Sequence, residues 1–161
     1  MKKIFKRFSI LVLLALVGIQ FIPADVNKQE LIATSDIRNV YDVPENVINI
    51  LENSCYDCHS NNTNYPWYSQ VQPIRLIMDH HVEEGKEELN FSEFANYSER
   101  RKRNKMRAIS EQIEKSKMPL SSYLWLHSNA ELSTEEIETL TRFTLSKQTI
   151  QSSITVTKPI E

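Results

Sequence analysis

The sequence predicts an all-α fold, in which a small helical domain follows an N-terminal apolar helix. Only two of the 161 residues are glycine, and glycine is the usual means of making the tight hairpins of antiparallel sheets. Apolar residues recur at helical spacing in four later segments, which are separated by polar stretches. We therefore expect helices joined by polar loops around one core.

The N terminus has the form of an export signal or a membrane anchor. Four basic residues open the chain: Lys2, Lys3, Lys6 and Arg7. An apolar run from Phe8 to Ile22 follows them, with no polar residue between Ile10 and Ile19, which is typical of such segments. We find no clear small-x-small cleavage site and no lipid-accepting cysteine after the run, so we expect residues 1–23 to form an uncleaved anchor. Since basic flanks stay in the cytoplasm, the rest of the chain is expected on the periplasmic side of a bacterial inner membrane.

The remainder of the chain is acidic. The whole sequence has 19 basic and 21 acidic residues, but four of the basic ones precede the apolar run and no acid occurs before Asp25. This balance argues against nucleic acid as a partner.

Residues 24–42 are polar and mixed, which predicts a linker between the anchor and a domain over residues 43–147. The first domain helix is expected to begin near Pro44, because proline suits a first helical turn and an acidic residue follows it. Its apolar stripe runs directly into Cys55.

Three further helices are expected, the first from Ile74 to about Glu84. Its predicted inner face consists of Ile74, Ile77, Met78, His81 and Val82. A long helix covers residues 98–118, and the last covers residues 133–147, where Ser133 and Glu136 form a capping box. Residues 148–161 are expected to be a flexible tail.

Both cysteines of the chain, Cys55 and Cys58, belong to a Cys-x-x-Cys-His motif that ends at His59. A disulfide across two residues closes a very small loop and gains little chain entropy. A thioredoxin-like dithiol needs a preceding strand, which the pattern lacks. A structural zinc ion needs four ligands, and adjacent Cys58 and His59 crowd one tetrahedral ion. Covalent haem attachment uses all three residues, two thiols on the porphyrin and His59 as an iron ligand, so it is the favoured reading of the four.

A second axial ligand is available in the loop before the last helix. Met118 lies in "KSKMPLSSYLWLH", where a loop can bring a thioether across a haem face, and Pro119 fixes the backbone behind it. His81 is the main alternative, because it lies on the predicted inner face of its helix. His80 and His127 are weaker candidates, and His127 is expected to be a capping or surface residue.

Three strings of the chain are more specific than the motif: "SCYDCHSNNTNYPWYSQVQP", "DHHVEEGKEELNFSEF" and "KMPLSSYLWLHSNAELSTEE". Together they resemble the haem-binding domain family of single-haem c-type cytochromes, known mainly from Bacteroidetes-like bacteria. The resemblance covers roughly residues 43–145 and implies a small cytochrome c-like helical domain. It also implies haem c on Cys55 and Cys58, with His59 proximal and Met118 distal. Lys86 departs from the arginine expected after "EG" in this family, which weakens a bidentate role there.

These observations predict electron transfer to a redox partner protein rather than an enzymatic activity. The alternative is a periplasmic haem sensor or a small peroxidase-like enzyme with a labile sixth ligand. Five aromatic residues are expected to wall the haem pocket: Tyr65, Trp67, Tyr68, Tyr123 and Trp125. The basic run from Arg100 to Arg107 either docks an acidic partner, neutralises haem propionates or is a solvated helix face.

Overall fold

The computed structural model describes residues 1–24, 26–29 and 31–156, with side chains as far as residue 148. Within these ranges the chain contains eight α-helices, short 3₁₀ turns and no strand, which confirms the all-α prediction. The helices are α1 (Lys2–Gly18), α2 (Ile37–Val40), α3 (Glu45–Ser54), α4 (Tyr56–His59), α5 (Ile74–Glu88), α6 (Glu99–Glu114), α7 (Ser121–Leu124) and α8 (Thr134–Val156).

Helix α1 and the 3₁₀ turn after it form one apolar rod over Lys2–Phe21. Its mean hydropathy is 1.9, and none of it is buried against the rest of the chain. Twenty residues match the hydrocarbon thickness of a bilayer, and a signal sequence has the same character. The rod therefore has the length and composition of either an anchor or a signal.

The core of the domain lies between α3, α6 and α8, with the 3₁₀ segment Phe91–Asn96 closing one side. Met106 of α6 and Phe94 are fully buried, as is Leu140 of α8. The predicted capping box is present, since the Ser133 amide donates to Glu136 Oε2 at 2.8 Å and the Glu136 amide donates to Ser133 Oγ at 3.3 Å. This cap fixes the start of α8, whose apolar face then meets α6 and α3.

The segment over residues 24–42, predicted as a linker, is packed onto the domain in its described part. Ile37 is 1% exposed and belongs to the core. Asn27 donates from its side-chain amide to Ser60 O and to Thr63 Oγ1, both at 2.8 Å. Polar residues of this segment are thus partners of a distant loop, and composition alone cannot distinguish that from a solvated linker.

The first turns of α5 present the opposite face from the one predicted. Ile74 and Ile77 are exposed, whereas Val82 is buried as expected. Arg75 is on the inner side, with its guanidinium 4.3 Å from the centre of the Tyr65 ring and 2.7 Å from the Asp79 carboxylate. An aromatic ring and a carboxylate satisfy the charge of Arg75, so the polar residue is buried and the aliphatic ones are left outside.

Helix α8 continues to Val156, into the segment predicted as a tail. Residues 157–161 of that segment lie outside the described residues.

Candidate functional site

The Cys-x-x-Cys-His motif occupies the sharp junction between α3 and α4. Helix α3 ends at Ser54, and the amides of Cys58 and His59 both donate to the carbonyl of Cys55, at 3.2 and 3.0 Å. This single turn brings both cysteines and His59 to one side of the junction. The two thiols are free, so the disulfide alternative has no support.

The imidazole of His59 is held by two main-chain carbonyls of the α5 end. Its Nδ1 lies 2.7 Å from Gly85 O and 3.0 Å from Leu89 O. A carbonyl oxygen only accepts hydrogen bonds, so Nδ1 must carry the proton and donate it. In the neutral imidazole, the other ring nitrogen, Nε2, is then the one that can bind a metal. This is the arrangement in which a protein presents histidine as a metal ligand.

Gly85 makes this contact possible. A Cβ built on Gly85 would lie 2.6 Å from the Cys58 carbonyl oxygen and 3.2 Å from Cys58 Cβ. Only glycine lets the α5 backbone approach the motif closely enough for its carbonyl to reach His59. Sequence reasoning missed this residue, although a glycine inside a helical pattern of a chain with two glycines was an available signal.

A cavity of about 660 Å³ opens beside the motif. It is lined by Cys55, Cys58 and His59 of the motif and by Met118 and Leu120 of the loop after α6. Its apolar walls include Leu89, Phe91, Ile109 and Ile113. The volume is in the range of sites for small molecules and cofactors. Two thiols, a bare imidazole nitrogen and a thioether in one apolar cavity fit a haem held through its edge and its iron.

Both candidate sixth ligands line this cavity, at different places. His81 lies one helical turn before Gly85, on the same helix that holds His59. Its Nδ1 is 4.0 Å from the Glu84 carboxylate, at the rim. Met118 comes instead from the loop after α6, where the amide of Lys117 donates to Gln112 O at 2.9 Å and folds the chain back over the helix end. His80 is mostly exposed and does not line the cavity.

Burial keeps the two thiols protonated. It raises the pKa of Cys55 to about 12, with the neighbouring Cys58 adding to the effect. It raises the pKa of Cys58 to about 11, with the Asp57 carboxylate adding to the effect. A redox dithiol needs a lowered thiol pKa, so the thioredoxin-like alternative has no support. Among the described residues no group of three His, Cys, Asp or Glu side chains is arranged to hold a metal ion.

Of the five aromatic residues predicted to wall the pocket, only Tyr123 does so. Trp67 and Trp125 are 80% and 88% exposed, so their prediction as pocket walls is wrong. Tyr65 packs under Arg75 instead. Tyr68 lies outside the cavity and is bonded to His127, as described next.

A series of side-chain contacts connects the loop after α6 to the Cys-x-x-Cys-His motif. The Tyr123 hydroxyl donates to Asp57 Oδ2 at 2.7 Å, and the Tyr123 ring stacks on His127 with centroids 4.0 Å apart. His127 Nε2 in turn lies 2.7 Å from the Tyr68 hydroxyl. Burial and the Asp57 contact raise the pKa of Tyr123 far above its usual value. His127, predicted as a capping or surface residue, precedes the 3₁₀ turn Ser128–Ala130 as its N-cap, and its side chain also links Tyr123 to Tyr68.

The basic run on α6 does not form one face. Lys102 is buried beside Glu99, and Lys105 lines the cavity 3.8 Å from Glu88. Arg101 covers the Tyr97 ring, and Arg107 pairs with Glu111. Lys105 is the one lysine or arginine that lines the cavity among the described residues. The basic residues of α6 therefore have different environments: some make structural contacts, one lines the cavity and others face solvent.

Replacing Tyr123 by phenylalanine is expected to lower the free energy of unfolding by about 1.5–3 kcal/mol, because a hydrogen bond to a carboxylate is lost. Tyr68→Phe is the matched control, since it removes a neutral bond to His127 and is expected to cost about 0.5–1.5 kcal/mol. Chemical denaturation of the full chain measures both losses. Equal losses in the two variants would contradict a special role for the Tyr123–Asp57 contact.

Comparison with known families gives one match, to the model of a family described as "Haem-binding domain", over residues 14–146. The match includes the segment after α1 that packs on the domain, as well as the motif and the loop with Met118. No curated protein and no solved structure matches the chain significantly.

Proposed function

The chain belongs to the haem-binding domain family, and on this premise we propose that it is a membrane-anchored c-type cytochrome that carries single electrons. Cys55 and Cys58 attach one haem covalently, and His59 and Met118 are the axial ligands of its iron. The protein is a carrier and not an enzyme.

The observation that carries this proposal is the presentation of His59. Its Nδ1 donates to Gly85 O and Leu89 O, which leaves Nε2 of the neutral ring for a metal, and His59 lines the same cavity as both thiols. Among the described residues no hydrogen bond occupies this second nitrogen, and an iron ligand requires a nitrogen without one.

Different residues of the cavity have different roles in binding haem. When bound, haem supplies a one-electron couple whose potential follows from the axial ligands and the polarity around them. The α5 carbonyls fix the ring plane and tautomer of His59, and the two thiols fix an edge of the porphyrin. The apolar walls from Phe91, Ile109 and Ile113 exclude water and lower the local dielectric.

The position of Met118 favours it over His81 as sixth ligand. His59 is hydrogen-bonded to the end of α5, and His81 belongs to that same helix, one turn before Gly85. Met118 comes from a different part of the fold, the loop between α6 and α7, and would bring its thioether to the group independently of α5. Two protein ligands leave no open position for a substrate, which is the requirement of an electron carrier.

Location and partner follow from the anchor and the charges. The apolar rod Lys2–Phe21 holds the protein in the inner membrane with the haem domain on the periplasmic side. The exposed arginines of α6, Arg100 and Arg107 among them, provide positive charge for an acidic redox partner protein.

Covalent attachment is tested by denaturing the full chain made in a bacterium with haem-attachment machinery. We expect the native sequence to keep its haem after denaturation, and Cys55→Ser/Cys58→Ser to lose all of it, because no thioether bond remains. Haem absorbance of the denatured, separated chain measures this. His80→Ala is the control and should retain haem, since His80 is outside the cavity.

Release of haem from the denatured native chain would refute the c-type assignment. A five-coordinate, high-spin spectrum of the attached form would instead favour the sensor or peroxidase-like alternative, because it requires an open or labile sixth position.

A further inference from the structure

Apolar side chains are exposed where α5 begins. Val71 is 45% exposed, Ile74 39% and Ile77 55%, and Trp67 of the preceding 3₁₀ turn is almost fully exposed. None of the four lines the haem cavity. Ile74 and Ile77 are three residues apart, so they share one side of the helix.

A second loop adds to this surface. Trp125 and Leu126 are exposed, and the next residue, His127, contacts the Tyr68 hydroxyl at 2.7 Å, directly after Trp67 in the chain. The two tryptophan-bearing segments are therefore neighbours. We call the combined surface the apolar face; it comprises Trp67, Val71, Ile74, Ile77, Trp125 and Leu126.

The end of the apolar rod is fastened to the same place. Gln20 donates from Nε2 to Gln72 O at 3.2 Å, and the Gln72 amide donates back to Gln20 Oε1 at 3.0 Å. Gln72 lies between Val71 and Ile74 in the chain. A membrane-spanning helix that ended at Phe21 would thus leave the bilayer beside the apolar face.

The composition of the face suits a lipid surface. Residues 60–74 contain no charged residue, and residues 124–130 contain none apart from His127 if it is protonated. Tryptophan is enriched where a bilayer meets water, because its ring is apolar and its N–H needs a polar partner. Large apolar side chains exposed together on neighbouring segments are typical of an interaction site.

We propose that the apolar face rests on the periplasmic surface of the bilayer from which α1 emerges, and that it holds the domain in one orientation there. This inference rests on the membrane attachment proposed above for α1 and is independent of the bound haem. Two contacts with the membrane, a spanning helix and an interfacial face joined by the Gln20–Gln72 pair, remove the rotation that a single tether would allow.

The two tryptophans of the chain both lie on the apolar face, so their fluorescence reports on it directly. The full chain is reconstituted at low density in phosphatidylcholine vesicles with or without bromine on the upper acyl chain. Quenching is compared between Trp67→Phe and Trp125→Phe, each of which keeps one tryptophan. The matched control lacks both and carries Glu111→Trp, at an exposed α6 position paired with Arg107 and Lys115.

We expect brominated lipid to quench Trp67 and Trp125 several-fold more than the tryptophan at position 111, and aqueous acrylamide to give the reverse order. Ratios between the two kinds of vesicle cancel any quenching by haem. Tryptophans that are quenched by acrylamide as strongly as the control would overturn the proposal, and so would tryptophans shielded from both quenchers, since that indicates a protein partner or a second copy. Flotation with the vesicles separates the two inferences: a chain that floats with its tryptophans in water refutes only the apolar face, and a chain that does not float refutes the anchor as well.

Discussion

Gly85→Ala is expected to lower the free energy of unfolding by about 1–3 kcal/mol and to reduce the yield of attached haem. The new Cβ would meet the Cys58 carbonyl oxygen at 2.6 Å, a distance that forces α5 away from the motif. Overpacking of this kind costs about 1–3 kcal/mol, and a weakened His59 hydrogen bond adds about 0.5–1.5 kcal/mol. The better helix propensity of alanine returns about 1 kcal/mol, so the steric effect wins.

The chain contains its own control for this variant. Gly18, the other glycine, has no atom within 4 Å of a built Cβ and also lies in a helix. Gly18→Ala is therefore expected to leave the denaturation midpoint of the domain unchanged. Denaturation of both haem-loaded variants in the same detergent measures the difference, and coincident midpoints would contradict the close-contact role of Gly85.

The spin state of the attached haem distinguishes an effect of Gly85→Ala on the site from a general loss of stability. If α5 moves away, the two carbonyls no longer fix Nδ1 of His59, and the ring can rotate or change tautomer. The low-spin fraction of the attached haem should then fall in Gly85→Ala under conditions where the chain is fully folded. In Ser133→Ala, which loses the cap of α8 and does not line the cavity, that fraction should stay high.

The local parts of this site could be predicted from the sequence, because local chemistry determines them. The motif from Cys55 to His59 is contiguous, and its spacing on one helical turn is set by backbone geometry. The capping box at Ser133 and Glu136 is equally local, and its hydrogen bonds are present. Both required only residues that are near in the chain.

The parts that could not be predicted depend on contacts distant in sequence. The periodicity of α5 indicated an inner apolar side at Ile74 and Ile77. It could not indicate that Arg75 would be buried there instead, in contact with Tyr65 and Asp79. The partner of Gly85 is the backbone of Cys58, which no pattern in α5 reveals. Asn27 likewise belongs to a segment whose composition predicts a linker, and its hydrogen bonds to Ser60 and Thr63 cannot be inferred from that composition.

The aromatic residues illustrate the same limit. Tyr123 and Trp125 are two residues apart in one short segment, yet one lines the cavity and the other is 88% exposed. The difference is the Asp57 carboxylate, which anchors the Tyr123 hydroxyl across the cavity mouth. The sequence alone predicted both residues as walls of the haem pocket. Only the contact with Asp57, which is distant in sequence, distinguishes Tyr123 from Trp125.

Met118→Ala is expected to abolish the sulfur-to-iron band of the oxidised protein and to lower its reduction potential, because thioether ligation raises the potential relative to a second imidazole or a water. The fall should be a sizeable part of the roughly 0.8 V that axial ligands span. Absorption spectra and potentiometric titration of the attached form measure both changes. His81→Ala should keep the band and shift the potential little, since His81 is partly exposed beside Glu84 and lies on the helix whose end already holds His59.

Met78→Ala is the matched methionine control, because Met78 is on α5 but does not line the cavity, and its spectrum should equal that of the native chain. The opposite result, a low-spin state that survives Met118→Ala and is lost in His81→Ala, would assign bis-histidine ligation. In that outcome α5 would hold the group twice, through the carbonyls bonded to His59 and through the imidazole of His81. Gly85 fixes α5 against Cys58 with no room for a Cβ, so we expect the ligand to come instead from the separate loop that carries Met118.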